Sequence, residues 1–177
     1  MDANEREVYE AAIHGDRDAF EMIIRTHSRP LFAIAYGILQ NREEAEDAVQ
    51  DALVKAWKSR WRVRDPEKFP AWLCMIARHR ARDVFRKRRA VPLSEIPETA
   101  DTETTDTAML DRLLHSALAG LPEIHRAAIS LRYFEEMDYA TIENRLGLTN
   151  GSLRGILGRA LATMRQQLKP ALASEQP

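Results

Sequence analysis

Apolar residues recur at helical spacing along almost the whole chain. The segment 69–89, FPAWLCMIARHRARDVFRKRR, shows the pattern most clearly, and Pro70 suits the first turn of a helix there. At 100° per residue, five of its apolar side chains share one face: Trp72, Leu73, Ile76, Ala77 and Val84. No segment shows sustained strand alternation, and glycine is scarce at seven residues. The pattern predicts an all-α fold.

The same spacing divides the chain into two helical domains. The predicted helical segments are 5–27 with a break at Gly15, 29–40, 42–58, 70–89, 109–119, 122–134, 139–146 and 150–168. Residues 59–69 are predicted to form a loop. Residues 91–108 contain prolines, threonines and acids but few apolar residues, so we expect a flexible acidic linker. The predicted domains are therefore 5–90 and 109–170.

Charge is distributed unevenly, although the net charge is only −1. Residues 54–90 hold thirteen Lys or Arg against three acids, whereas residues 91–111 hold six acids and no base. Arg78, Arg82, Arg86 and Arg89 fall on the face of the 69–89 helix opposite its apolar face, with His79 beside them. Such a row can meet successive phosphates of a nucleic acid, and the alternative is an ordinary solvated helix face.

Residues 139–168 carry the pattern of a helix-turn-helix. Ile142 and Leu146 mark a short helix, Gly147 can take the left-handed conformation that ends it, and Thr149 can cap the next helix. The second helix of this motif enters a DNA major groove. The alternative is a purely structural helical hairpin.

Several classes of function find no support in the sequence. The single cysteine, Cys74, excludes an internal disulfide, and we expect it to be buried and reduced. The sequence contains no apolar run of transmembrane length and no signal-peptide pattern, which predicts a soluble, cytoplasmic protein. We find no catalytic constellation, no metal-spaced Cys/His set and no phosphate-binding glycine loop, so we expect neither an enzyme nor a cofactor.

Taken in order, these segments resemble an extracytoplasmic-function sigma factor of bacterial RNA polymerase over about residues 8–170. The resemblance rests on GDRDAFEMIIRTH, ILQNREEAEDAVQDALVKAW and the 69–89 helix, and on ALAGLPEIHRAAISLRYFEEMDYATIENRLGLTNGSLRGILGRAL in the second domain. It implies a sigma region 2 bundle, a linker and a sigma region 4 helix-turn-helix. It also implies three partners, namely core RNA polymerase, promoter DNA and an anti-sigma factor.

The resemblance implies that the helix containing EDAVQDAL docks on the clamp helices of the polymerase largest subunit. This places Asp47, Gln50 and Asp51 at the contact. Exposed acids and an amide can pair with arginines on a partner helix.

The resemblance also implies that the loop from Trp61 to Phe69, with His79 behind it, captures an unstacked base of the −10 element. The residues assigned to −10 DNA are Trp61, Arg64, Phe69, Arg78, His79, Arg82 and Arg86. An aromatic and basic pocket suits single-stranded DNA, because stacking contributes about 1–3 kcal/mol per base. Family members often have Asn at the position of His79.

For the −35 element, the resemblance points to the last helix. The assigned residues are Asn150, Ser152, Arg154, Gly155 and Arg159. Gly155 and Gly158 depart from the family's larger side chains at these positions. Either the backbone approaches the groove closely or −35 binding is weak, and the loss of side chains favours weak binding.

Two other functions stay open at this point. One is a sigma mimic that sequesters an anti-sigma factor without binding DNA. The other is a helix-turn-helix regulator that acts without polymerase.

Overall fold

A computed structural model describes the backbone of residues 3–90 and 106–173 and the side chains of residues 3–88 and 113–169. Within these ranges the regular elements are helices, as predicted. Their bounds are α1 Ala3–His14, α2 Arg17–Leu39, α3 Arg42–Ser59, α4 Phe69–Ala90, α5 Asp106–Ala119, α6 Glu123–Ile129, α7 Tyr139–Leu146 and α8 Asn150–Ala173. No helix in the described ranges is both long and apolar enough to span a bilayer.

Helices α1 to α4 form the first bundle, and their starts follow from capping residues. Asp16 accepts a hydrogen bond from Ala19 N at 2.9 Å, and Asn41 accepts one from Glu44 N at 2.9 Å. The expected break near residue 28 was wrong, because α2 continues through the buried Pro30. Its apolar face packs against α3 and α4 on both sides of the proline, which offsets the missing backbone donor.

Helices α5 to α8 form the second bundle. A π-helical turn, Ser130–Phe134, continues α6, and the predicted helix-turn-helix follows as α7 and α8. Gly147 ends α7 with φ 67°, and Thr149 Oγ1 accepts a hydrogen bond from Ser152 N at 3.3 Å. Five apolar residues at helical spacing on α8 are buried: Leu153, Ile156, Leu157, Ala160 and Met164.

The two bundles pack against each other. Helix α6 lies against α2, and α7 lies against α4. The first crossing is close at Gly37, where a Cβ would lie 3.4 Å from the backbone nitrogen of Ala127. The buried apolar residues of both bundles form one continuous core. The sequence indicated two domains but not this contact between them.

The boundary between the bundles is only partly described. Residues 91–105 of the predicted linker lie outside the described residues, as does the side chain of Arg89. Helix α5 begins at Asp106, three residues before the predicted start at 109.

Candidate nucleic-acid interface

The loop between α3 and α4 presents an aromatic ring on a cationic surface. It consists of two 3-10 turns, Arg60–Arg62 and Pro66–Lys68. Val63 and Pro66 are buried and anchor the loop. Trp61 is 69% exposed, with the Arg62 guanidinium 5.8 Å from its ring centroid, and Arg64 is also exposed. A tryptophan this exposed is unusual in a folded protein and suits stacking on a base.

Phe69 is not part of this exposed surface, and its assignment as a DNA contact is corrected. Its side chain is completely buried. It stacks on Tyr9 at a centroid distance of 5.5 Å and meets Trp72 edge-on at 5.3 Å. Phe69 begins α4, and its ring faces α1 and the core, so it supports the loop from beneath.

The predicted arginine row of α4 divides between two clefts. Arg78 is half-buried and faces a cleft beside the loop, and its Nε is buried without a hydrogen-bond partner among the described residues. His79, Arg82 and Arg86 line a second cleft of about 450 Å³, together with Lys55 and Phe85. We call these the loop cleft and the α4 cleft.

Two of these arginines already hold carboxylates. Arg86 donates to Asp83, and this hydrogen bond holds the pKa of Asp83 below its usual range. Arg82 Nε donates to Glu123 Oε2 of α6 at 2.8 Å. The Glu123 carboxylate therefore occupies one of the five N–H donors of Arg82, and a phosphate in the α4 cleft would share or compete for this guanidinium.

The loop cleft lies between the two bundles and has a volume of about 540 Å³. One wall is the loop with Trp72, Met75 and Arg78 of α4, and the other is the end of α7 from Asn144 to Gly147. Five cationic side chains line it: Arg62, Arg64, Lys68, Arg78 and Arg145. Among the described lining residues Asp65 is the single acid, so the cleft suits an anionic ligand.

Helix α3 exposes Asp47, Gln50 and Asp51 opposite the alanines that it buries. Val54 lies one turn further along the same face and is 54% exposed. Sequence reasoning missed Val54, although its spacing of three and four residues from Asp51 and Gln50 was visible. The exposed face of α3 thus combines three polar side chains with one apolar side chain.

The amino-terminal half of α8 is exposed on the predicted recognition face. Arg154 Nε donates to Asn150 Oδ1 at 2.8 Å, and Asn150 Nδ2 donates to Glu143 Oε1 at 2.5 Å. Arg159 folds back along the helix, and a Cβ on Gly155 would lie 3.2 Å from its Nη1. Ser152 is exposed and approaches Thr149, with 3.0 Å between the two hydroxyl oxygens.

Arg145 of α7 is a functional candidate that the sequence did not reveal. Its charge acts on Tyr9, His27 and Cys74 of the first bundle, and it also hydrogen-bonds to Cys74. The pKa of His27 is lowered to about 4, chiefly by burial and secondly by the charge of Arg145. Burial raises the pKa of the Cys74 thiol to about 11, as expected for an inert buried cysteine.

Comparison with known proteins identifies both bundles. Residues 23–91 match the family described as Sigma-70 region 2, and residues 111–169 match Sigma-70, region 4. The sigma factor SigV of Bacillus subtilis is 31% identical over 82% of this chain and 88% of its own length. The sigma-H factor of Pseudomonas aeruginosa is 27% identical over 95% of both chains.

Two solved structures share the fold. CnrH, in complex with the cytosolic domain of CnrY, matches with a TM-score of 0.69 at 25% identity over 97% of this chain and 99% of its own. RpoE of Bartonella quintana, in complex with the anti-sigma factor NepR, matches with a TM-score of 0.61 at 25% identity over 85% and 96%. The arginine-lined loop, the acidic face of α3 and the helix-turn-helix thus occur in a chain that belongs to the extracytoplasmic-function sigma factors, which direct bacterial RNA polymerase to promoters.

Proposed function

We propose that this sigma factor holds the melted −10 strand on the loop 60–68 and on the face of α4 that carries Arg78, His79, Arg82 and Arg86. We call this the strand surface. The observation that carries the proposal is the exposed Trp61 ring with the Arg62 guanidinium 5.8 Å from its centroid and Arg64 exposed in the same loop. Stacking is available only to an unpaired base, because a base inside a duplex is already stacked on both sides.

Phosphate contacts complete this assignment. Arg64 follows Trp61 three residues later in the loop, and Arg86 and His79 lie along α4. Guanidinium groups pair with phosphate oxygens in any sequence context, so they position the strand while the base pocket selects it. His79 stands where relatives often have Asn, and its ring changes the donors available to a captured base.

Helix α3 is the proposed polymerase docking surface. Asp47, Gln50 and Asp51 supply acceptors for arginines of the clamp helices, and Val54 adds an apolar contact at the end of the same stripe. Charge pairs at such a contact chiefly increase the association rate and set the register.

We expect the start of α8 to bind the −35 element, and to bind it weakly. Asn150, Ser152, Arg154 and Arg159 are exposed there, but Gly155 and Gly158 leave the middle of the face without side chains. Sequence specificity in a DNA major groove comes from side chains that contact base edges. The two glycines therefore leave two positions of the helix without such a contact.

The linker and the partners follow from the family. An acidic segment over 91–108 would be repelled by nucleic acid, so we infer a spacer that threads polymerase without holding DNA. CnrH is in complex with the cytosolic domain of CnrY, and RpoE is in complex with the anti-sigma factor NepR. By analogy, we infer that an anti-sigma factor controls this chain in the cytoplasm.

Run-off transcription with core polymerase over a randomised promoter library tests the strand surface. Replacing Arg78, Arg82 and Arg86 by Ala should reduce open-complex formation at least tenfold, because several phosphate contacts are lost together. Affinity for core polymerase should stay unchanged. Arg17, Arg25 and Arg165 replaced by Ala form the matched control, since all three are exposed and remove the same charge from outside the strand surface.

Unaltered melting by the α4 triple variant would remove the strand surface from consideration. A wild-type chain that supports no promoter-dependent transcription with core polymerase would indicate a sigma mimic. Tight, polymerase-independent duplex binding would indicate a separate helix-turn-helix regulator.

The docking surface has its own test. Replacing Asp47 and Asp51 by Ala should weaken binding to core polymerase about tenfold, because both carboxylates are exposed and free to pair with arginines of the partner. Glu7 and Glu21 replaced by Ala provide the matched control. Equal affinity of the two double variants would contradict the docking assignment.

A further inference from the structure

We propose that Tyr139 and Glu143 of α7 are positioning residues for Arg154, and that they restrict α8 to selecting a guanine at one position of the −35 element. This inference rests on the proposed −35 role of α8 and adds side chains of the preceding helix to it. Tyr139 and Glu143 lie four residues apart in α7, so they share one face of that helix.

A chain of two hydrogen bonds connects Glu143 to the Arg154 guanidinium. Glu143 Oε1 accepts from Asn150 Nδ2 at 2.5 Å, and Asn150 Oδ1 accepts from Arg154 Nε at 2.8 Å. The ionised carboxylate can only accept and the guanidinium can only donate, so the amide between them satisfies both in a single orientation. Glu143 thereby fixes the amide of Asn150, and this amide fixes the guanidinium.

The ring of Tyr139 supplies a second contact. Arg154 Cζ lies 5.6 Å from the ring centroid, which is within the range of a cation–π attraction. Arg132 Cζ lies 5.5 Å from the same centroid, and Arg132 Nη1 donates to the Met137 carbonyl at 2.9 Å, so an anchored arginine restrains the ring. Arg154 is thus ordered before it meets DNA, which lowers the entropic cost of binding.

This arrangement leaves the terminal nitrogens of the Arg154 guanidinium for a base. Within the described residues only its Nε donates a hydrogen bond, and Arg154 is exposed. The two terminal nitrogens can therefore donate to O6 and N7 of guanine, which is the most common specific contact of arginine in a major groove. Adenine offers an amino group in place of O6, so a guanidinium held in this orientation rejects it.

The rest of the exposed face explains why the selection is confined to one position. Gly155 and Gly158 present no side chain to a base edge. A Cβ on Gly155 would lie 3.2 Å from Arg159 Nη1, so the Arg159 guanidinium lies along α8 itself. Arg154 is the arginine of this face that α7 orients, and we therefore assign the base contact to it.

Selection from a duplex promoter library by the holoenzyme, which is core polymerase with this chain, tests the inference. The library carries a randomised −35 element and the −10 element of a promoter that the wild-type holoenzyme transcribes, and the bound promoters are sequenced. The wild-type holoenzyme should enrich guanine at one position at least about tenfold over each other base.

Two pairs of variants identify the groups that matter. Glu143→Ala and Tyr139→Leu should each reduce the guanine enrichment to about threefold or less, because the guanidinium is no longer held. Glu143→Gln and Tyr139→Phe are the matched controls, since they retain the acceptor oxygen and the aromatic ring, and both should keep the enrichment. Thermal unfolding checks that each variant is folded, and Glu143→Ala decides alone if Tyr139→Leu fails to fold.

Two further measurements separate positioning from a merely structural role. Replacing the selected guanine by 7-deazaguanine removes the N7 acceptor. It should weaken binding of the wild-type holoenzyme about tenfold and binding of the Glu143→Ala holoenzyme less than about twofold. Adding Glu143→Ala to Arg154→Ala should cause no further loss, because the side chain to be positioned is already absent.

Guanine enrichment that persists in Glu143→Ala and Tyr139→Leu but is lost in Arg154→Ala would overturn the positioning and leave the −35 role of α8 intact. Enrichment that survives Arg154→Ala would remove Arg154 from the proposed −35 surface, and the inference with it. A wild-type holoenzyme that prefers no base at any −35 position would overturn both the inference and the −35 role.

Discussion

Trp61 and Phe69, at the two ends of the segment 61–69, serve opposite purposes. Both are aromatic and they flank the cationic residues of this segment, so the sequence alone makes them equal candidates for stacking on a base. The fold separates them, because Phe69 is fully buried between Tyr9 and Trp72 whereas Trp61 is 69% exposed.

Replacing each aromatic residue by Ala should therefore have a different effect. Phe69→Ala should lower the free energy of unfolding by about 3–5 kcal/mol, because it leaves a cavity in the core. Trp61→Ala should change stability by less than about 0.5 kcal/mol while reducing promoter melting. Urea titration and permanganate footprinting measure the two effects, and a destabilised Trp61→Ala would contradict this separation.

His27 gives the fold a defined response to acid. It is 2% exposed, its Nε2 lies 2.6 Å from Tyr9 Oη, and its pKa is lowered from 6.5 to about 4 by burial and by Arg145. Between these two values the unfolded chain binds a proton at His27 that the folded chain does not bind. Stability should therefore be complete above about pH 6.5 and decrease as the pH falls towards 4.

The loss from this one group should be roughly 3 kcal/mol, and below pH 4 it should not increase further. Urea titrations from pH 7.5 to 4.5 measure it. A His27→Gln variant is the control, because it cannot titrate and should show a flatter profile. Parallel profiles for the two proteins would assign the acid sensitivity to other groups.

At the scale of elements, α8 combines a well-packed inner face with an outer face that two glycines weaken. Gly158 has open space around its missing side chain, whereas Gly155 lies beneath the Arg159 guanidinium. The helix is held by the buried row from Leu153 to Met164, so it tolerates glycines that an isolated helix would not.

Gly158→Ala should raise the free energy of unfolding by about 1 kcal/mol, since alanine restricts the unfolded chain and meets no neighbour. Gly147→Ala is the contrasting control, because Gly147 has φ 67° and a side chain there is strained. Thermal and urea unfolding measure both changes. If Gly158→Ala instead lowered the free energy of unfolding, the backbone at residue 158 would require the conformational freedom of glycine.

At the scale of the whole molecule, the two sigma regions share one continuous apolar core. Helices α6 and α7 contribute buried residues such as Ala127, Leu131 and Ile142 next to α2 and α4. Contacts of this kind couple unfolding of one region to unfolding of the other.

Calorimetry should therefore show a single cooperative transition for the wild-type chain. Gly37→Trp should divide it into two, because a side chain at residue 37 faces the backbone of Ala127 and an indole there would push α6 away from α2. Two transitions in the wild-type protein would show that the bundles unfold independently.

The sequence by itself determined the helices, their caps and the family. Asp16, Asn41, Gly147 and the apolar periodicity act within a few residues, so their effects are readable without the fold. The charge imbalance of residues 54–90 was readable for the same reason, and it located the cationic loop and α4.

Tertiary structure alone decided which side chains are accessible and what they face. The fold buries Phe69 in the core, pairs Arg82 with Glu123 of the other bundle, and places Arg145 beside Cys74 of the first bundle. These contacts join residues far apart in the chain, and those of Arg82 and Arg145 depend on how the second bundle packs against the first. Local periodicity contains no information about such distances, since it reports only the face of a helix and never its neighbour.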